Sequence, residues 1–276
     1  MFKPSWLSSA PALGRSQFLN KSSHSGRRQL VVGNWKLNGN RHENAILVRG
    51  ILAGWQDNLN VDVVLCPSDV YLQQTAELLS ARSIFLGAQN VSEFWQGAFT
   101  GEVSAQMLAD LNCRFVIIGH NERRRLLKET DEQIVQKFIA AQRANLTPIL
   151  CVGESLQHRE QGLQLQVIKS QLDAVFSQTG KECLVNAVLA YEPVWAVGTG
   201  VTASPEQASE VHCFIREQLG ANADKIRILY GGSVKAHNAA ELFAKPDIDG
   251  ALLGGASLNP EEFVSICKTA SLIWQH

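Results

Sequence analysis

The sequence predicts an α/β protein folded as a single closed (β/α)8 barrel with a short N-terminal extension. Three observations lead there. Eight short, β-branched apolar runs alternate with longer segments of helical period. The units fill about 250 residues, the usual span of such a barrel. No Gly-x-Gly-x-x-Gly follows the first run, which weighs against the competing doubly wound open sheet.

The runs are QLVVGNW (29–35), VDVVLCP (61–67), IFLGAQN (84–90) and FVIIGH (115–120). They continue as TPILCVGE (147–154), NAVLAYEP (186–193), IRILYGGS (226–233) and IDGALLGGA (248–256). Each is continuous and apolar, as parallel strands covered on their outer face must be. A buried helix fragment would look like any one of them; the repetition decides for strands. Between them lie helix starts. Thr130-Asp131-Glu132-Gln133 fits a capping box, with Ile134, Phe138 and Ala141, then Val135 and Ile139, following at helical spacing. Ser204-Pro205-Glu206-Gln207 repeats the device ahead of Ala208, Val211, Ile215 and Leu219. Asn259-Pro260-Glu261-Glu262 does so before Phe263 and Ile266.

Length alone allows one large domain or two modest ones among 276 residues. The barrel is assigned to 29–276. Residues 1–28 carry Lys3, Arg15, Lys21, Arg27 and Arg28, and no acidic residue precedes Glu43. That composition suits an organelle transit peptide; a disordered tail without an address is the plainer alternative, since Pro4 and Pro11 spoil an amphipathic helix. A net charge of -1 gives no electrostatic case for nucleic acid or an anionic membrane. No apolar run approaches the roughly 18 residues of a membrane span. Six cysteines, none in CxxC spacing and several inside apolar runs, read as buried reduced thiols.

In a barrel the strand C-termini converge on one face, where active sites are built. The first run ends in Gly33-Asn34-Trp35-Lys36 and offers a cation, although a lone lysine is more often solvated. The fourth ends in His120, with Glu122 two residues on. The sixth ends in Glu192, beside Pro193 and Trp195, where partial desolvation would raise its pKa and strengthen it as a base; a buried salt bridge is the blander reading. The last two end in Gly231-Gly232-Ser233 and Gly254-Gly255, glycine pairs that let backbone N–H groups approach an anion. Together these suit proton abstraction beside a carbonyl on a small phosphorylated substrate, with no metal and no organic cofactor.

The segments GNWKLNG (33–39), GAQNV (87–91), GAFTGE (97–102), GHNERR (119–124), CVGE (151–154), AYEPVWAVGTG (190–200), YGGSV (230–234) and LLGGASL (252–258) resemble, in order, those of the triosephosphate isomerase family. The resemblance implies a TIM barrel that interconverts dihydroxyacetone phosphate and D-glyceraldehyde 3-phosphate in glycolysis and gluconeogenesis. It implies Glu192 as the base, a neutral His120 as the electrophile, Lys36 as the cation offsetting developing charge, Asn34 on the substrate oxygens, and Glu122 in support near Lys36. Gly198, Ser233, Gly254 and Gly255 would hold the phosphate. Pro193, Val194, Trp195, Ala196, Val197, Gly198, Thr199 and Gly200 would close as a lid. It also implies a homodimer in which Thr100 reaches the partner's pocket; Phe94, Trp95 and Phe99 are large apolar groups in a presumed loop that need burial. A glycolytic role fits the cytoplasm, and a cleavable N-terminus would fit an organelle.

One residue departs from the family pattern. The usual motif is GHSERR, and Asn121 stands here for the serine. Asparagine can still donate to a carboxylate, so activity is expected to survive with the resting position of Glu192 altered. Arg123, Arg124 and Arg125 are expected to be structural or solvated rather than catalytic, with a solvated face favoured for Arg124 and Arg125. Another phosphate-binding barrel, such as an epimerase or lyase, does not account for Lys36, His120, Glu192 and the lid sequence together. A barrel kept as a binding protein without turnover is the alternative from a different class.

Overall fold

The computed structural model describes residues 26–80, 82–196 and 203–273. Strand and helix alternate through them. The first half runs β1 (Leu30–Asn34), α1 (Arg41–Gly54), β2 (Asp62–Cys66), α2 (Leu72–Leu79), β3 (Ile84–Ala88), α3 (Ala105–Asp110), β4 (Phe115–Ile118), α4 (Asn121–Leu126) and α5 (Asp131–Arg143). The second runs β5 (Thr147–Val152), α6 (Leu156–Glu160), α7 (Gln164–Thr179), β6 (Val188–Tyr191), α8 (Pro205–Gln218), β7 (Arg227–Tyr230), α9 (Ala239–Phe243), β8 (Gly250–Leu253) and α10 (Pro260–Ile273). The strands pair in parallel in sequence order, and β8 pairs with β1. That closure rules out the doubly wound sheet. Each predicted run contains one strand.

The period of two along each strand divides the core into two layers. Leu30 and Val32, Phe115 and Ile117, Ile149 and Cys151, Val188 and Ala190 point inward with Val64, Cys66, Leu229 and Leu252. Their neighbours, among them Val31, Val116, Ile118, Leu150, Leu189 and Ile228, face the helices and join the larger cluster that includes Phe138, Ile215 and Phe263. Space inside is tight: a Cβ on Gly87 would lie 2.6 Å from Cys66 Sγ and 2.8 Å from Val64 Cγ1, so this position of β3 contributes a hole that its neighbours fill.

Both capping boxes form. Thr130 accepts from the Gln133 N–H and Gln133 reaches back; Ser204 and Gln207 do the same, with Pro205 at the first helical position. Asn259 Oδ1 accepts from the Glu262 N–H at 2.8 Å. The inward stripes are as expected except at Ile139, which is exposed on the outer side of α5. The six cysteines are free thiols, four of them buried. Burial raises the pKa of Cys113 to about 12 and keeps it protonated. No helix among the described residues is long and apolar enough to cross a membrane.

Composition groups Arg27 and Arg28 with the N-terminal extension, but the barrel holds both. Arg27 is buried and donates to Asp249 Oδ1 at 2.9 Å and to the Pro246 carbonyl at 3.0 Å. Arg28 pairs with Asp62 at 3.2 Å. The composition boundary after residue 28 therefore runs through residues that close the N-terminal end of the barrel.

Candidate active site

Asn34, Lys36, His120 and Glu192 line one cleft of about 210 Å³ with Gly231, Gly232, Ser233, Lys235, Gly254 and Gly255. The residues named from the strand ends thus meet at the C-terminal mouth of the barrel. Among the described residues, no group of three or more His, Cys, Asp or Glu is placed to hold a metal ion.

Glu192 follows β6 directly and is 2% exposed. Its backbone N–H donates to the Val152 carbonyl at 2.8 Å, continuing the sheet ladder one step. Glycines on both neighbouring strand ends make room. A Cβ on Gly153 would sit 2.0 Å from the Glu192 carbonyl oxygen, and one on Gly231 would sit 2.9 Å from its Cγ. The carboxylate is fully engaged. Oε1 receives His120 Nε2 at 2.9 Å and Asn121 Nδ2 at 2.6 Å; Oε2 receives the Asn121 N–H at 2.9 Å. Burial pushes its pKa up, as the neighbouring Pro193 and Trp195 suggested. His120 and the two Asn121 donors outweigh burial, and the net shift is downward. The expectation of a raised pKa is therefore corrected for this resting arrangement.

Gly119, at φ +69°, follows β4 and turns the chain so that His120 becomes the N-cap of α4. His120 Nδ1 accepts the Glu122 N–H at 3.3 Å. An N–H aimed at Nδ1 leaves the proton on Nε2, so the neutral ring donates toward Glu192. Burial lowers the pKa of the imidazole, but the Glu192 carboxylate more than offsets it, and the group titrates above its ordinary value. The backbone contact supports the expected neutral tautomer, and the facing carboxylate supplies a pull that the sequence did not reveal.

Lys36 occupies the left-handed region at φ +55°, a conformation that costs a non-glycine residue about 1 kcal/mol or more. Three side chains hold it there. Asn34 Oδ1 accepts the Lys36 N–H at 3.0 Å, while Gln89 Nε2 at 2.9 Å and Ser68 Oγ at 3.1 Å donate to its carbonyl. The ammonium meets Glu122 Oε1 at 2.6 Å, and its stem lies 3.1 Å from where a Cβ on Gly254 would stand. Glu122 thus sits beside Lys36 as expected.

The polar cluster after His120 is mostly structural. Arg123 pairs with buried Glu129, which also takes the buried Lys137 ammonium. Arg124 is not solvated as the sequence suggested: it donates to the carbonyls of Gly119 at 2.8 Å and Cys151 at 3.2 Å and pairs with Asp131. A guanidinium can serve two strand-end carbonyls at once, and here it ties β4 to β5. Arg125 is exposed, as expected.

The first part of the lid sequence is anchored from beneath. Trp195 Nε1 donates to Glu154 Oε1 at 2.8 Å, and the same fully buried carboxylate receives Tyr191 OH at 3.1 Å and Arg159 at 3.3 Å. Val197, Gly198, Thr199 and Gly200 lie outside the described residues. Thr100 lies apart from the cleft, exposed in a groove with Phe94, Phe99 and Arg123.

Gln89, Ser68, Glu154, Gly153 and Lys235 have no role in the sequence reading. Gln89 carried a usable signal: it is a polar residue immediately beyond an apolar run, like His120 and Glu192. Ser68 and Gly153 carried none, because their roles depend on which loops meet.

Comparison with known proteins agrees with this geometry. The family model described as triosephosphate isomerase matches residues 29–270. A triosephosphate isomerase of Thiobacillus denitrificans is 54% identical over 249 residues, covering 89% of this chain and 99% of its own length. One of Nitrosococcus oceani is 52% identical over 248 residues, covering 88% of this chain and 99% of its own. One of Nitrosomonas europaea is 52% identical over 249 residues, covering 89% and 99%. A base, an imidazole and a lysine on one cleft, in a chain matched over this length, make the protein a member of the triosephosphate isomerase family.

Proposed function

We infer that the chain interconverts dihydroxyacetone phosphate and D-glyceraldehyde 3-phosphate through an enediolate, as a glycolytic and gluconeogenic isomerase of the cytoplasm. The observation that carries this reading is the contact of Glu192 with His120 Nε2 at 2.9 Å, on a cleft that also holds Lys36 and the glycine-rich ends of β7 and β8.

In this reading Glu192 takes the proton from one carbon and returns it to the next. It can act only when its donors let go. The carbonyl oxygen of the substrate accepts the His120 Nε2–H in place of Glu192 Oε1, which polarises the carbonyl and removes one of the three donors on the base in the same exchange; the two Asn121 donors must yield as well. Lys36 offsets the charge growing on that oxygen, and Glu122 holds the ammonium in place. Asn34 borders the substrate oxygens. Ser233, Gly254, Gly255 and Gly198 take the phosphate, and residues 193–200 close over it and exclude water. None of these steps draws on a metal or an organic cofactor.

The reading includes a homodimer. Phe94 and Phe99 stack at 3.7 Å yet remain 41% and 40% exposed, and Leu37 and Val70 are exposed in the loops after β1 and β2. Such groups call for a covering surface. A second copy, reaching in with its Thr100 loop, is the covering surface in this reading. The test is turnover of glyceraldehyde 3-phosphate by the full chain, followed by a coupled dehydrogenase, beside a Glu192→Gln control, with sedimentation run in parallel. Fast turnover by a dimer, lost in the control, is expected. A folded protein without turnover would favour a binding protein instead.

A further inference from the structure

The cleft poses an electrostatic problem. A triose phosphate is close to a dianion at neutral pH, yet the charged groups at the site do not favour one. Lys36 is matched by Glu122, Lys235 is matched by Glu262, and Glu192 is an additional carboxylate. His120 is turned toward Glu192 through Nε2 and takes the Glu122 N–H at Nδ1, so any charge it gathers is spent on that carboxylate. Two lysines therefore stand against three carboxylates. The lid sequence from 197 to 202, VGTGVT, adds no charge, and the chain as a whole has a net charge of -1. Backbone N–H groups add only partial charges, whose field fades with distance faster than that of an ammonium.

The two lysines are not equivalent. The Lys36 ammonium is tightly held at 2.6 Å, and its side chain is 27% exposed. Lys235 meets Glu262 at 3.3 Å, and its side chain is 45% exposed. Its backbone is nevertheless fixed. The Lys235 N–H donates to Asn238 Oδ1 at 2.8 Å, and Asn238 Nδ2 donates to the Ser233 carbonyl at 3.3 Å. One asparagine thus ties the root of this exposed charge to the serine at the phosphate end of the cleft.

We propose that Lys235 is a positioning residue that draws the substrate dianion to the phosphate end of the cleft, with Glu262 holding its ammonium in reserve until the anion arrives. This rests on the assignment of Ser233, Gly254 and Gly255 to the phosphate. Lys235 acts on capture and not on proton transfer, so it governs kcat/KM and leaves kcat alone. Exposed charges act through a field that salt screens, with a reach of about 10 Å at 0.1 M ionic strength.

The test compares the full chain with Lys235→Gln, Lys235→Arg and Glu262→Gln over a range of ionic strength. Lys235→Gln is expected to lower kcat/KM for glyceraldehyde 3-phosphate about tenfold at low salt, to lose most of that deficit at high salt, and to keep kcat within about twofold. Lys235→Arg restores the value, and Glu262→Gln raises it at low salt. Inhibition by inorganic phosphate weakens in Lys235→Gln, while kcat/KM for unphosphorylated D-glyceraldehyde is unchanged. A Lys235→Gln deficit that ignores salt, or that is equal for the two aldehydes, would overturn the proposal and mark a structural role for the loop. If inorganic phosphate fails to compete even in the unaltered chain, the assignment of this end to phosphate falls as well, which separates the two failures.

Discussion

The two ends of the barrel each bury a carboxylate, and they use it differently. Asp249, just ahead of β8, is fully buried between two guanidiniums: Arg27 at 2.9 Å and Arg216 at 2.6 Å, with the Ile228 N–H at 2.8 Å completing its shell. Arg216 spends its remaining donors on the Ala223, Ile226 and Asp247 carbonyls and the Asp247 carboxylate. Glu192, just after β6, is as deeply buried, but its partners are an imidazole, an amide and one backbone N–H, and it faces a cleft. Permanent charges close the first arrangement. Neutral donors that a substrate can replace leave the second open. A buried carboxylate therefore becomes a base when its partners are exchangeable.

The largest effect should come from emptying the reactive end. Glu192→Gln is expected to cut kcat by about a thousandfold or more while thermal melting stays nearly unchanged, measured by coupled assay and calorimetry. The mirror experiment is Asp249→Ala, which leaves two guanidiniums uncompensated. It should cost about 3–5 kcal/mol in denaturant unfolding, with kcat of the folded fraction intact. Equal loss of kcat in that variant would break the comparison, because the far end would then be part of the chemistry.

His212 bridges the two regions, with Nδ1 on the Asp247 carbonyl at 3.1 Å and its ring against Tyr191 and Tyr230. Burial lowers its pKa to about 3. The neutral form is the one the fold accepts, so its contribution is full above the ordinary pKa near 6.5 and declines as pH falls from there toward 3. The expected slope for this group is about 1.4 kcal/mol per pH unit. His212→Gln should flatten the acid side of the stability curve by that amount; an unchanged slope would show that the ring already carries its proton.

Asn121 gives the smallest and most specific effect. Its two donors help to lower the pKa of Glu192, so Asn121→Ala, which keeps the backbone N–H alone, should move the acid limb of kcat/KM to higher pH. Asn121→Ser, with a shorter donor, should fall between them. If both variants reproduce every kinetic constant and the pH profile of the unaltered chain, the side chain is not part of the base's restraint.

Much of this was legible in the sequence, because burial leaves a periodic trace. The eight runs mark the strands since each strand is covered on both faces, and Thr130 and Ser204 mark helix starts since an orphan N–H needs a local oxygen. Lys36, His120 and Glu192 stood out because each interrupts an apolar run at its end. What stayed hidden depended on partners distant in the chain. The guanidinium of Arg124 looked solvated because Cys151, whose carbonyl it serves, lies 27 residues away. Glu192 was expected to gain basicity from its neighbours at 193 and 195, yet the groups that lower its pKa are His120 first and then Asn121, which lies 71 positions earlier. Ile139 fits the helical stripe, and only the packing of α5 shows that its side lies uncovered.

The two glycines beside Glu192 also bear on how this chain can evolve. At 153 the obstacle to any side chain is main-chain oxygen, and at 231 it is the base itself together with the Tyr191 carbonyl at 3.0 Å. No neighbour can step aside without moving the base. Gly255, on the phosphate side, has open space where a side chain would go, so drift there meets no such wall. The walls of the base are made of absent atoms, and a lineage that fills either gap gives up the reaction before it gives up the barrel.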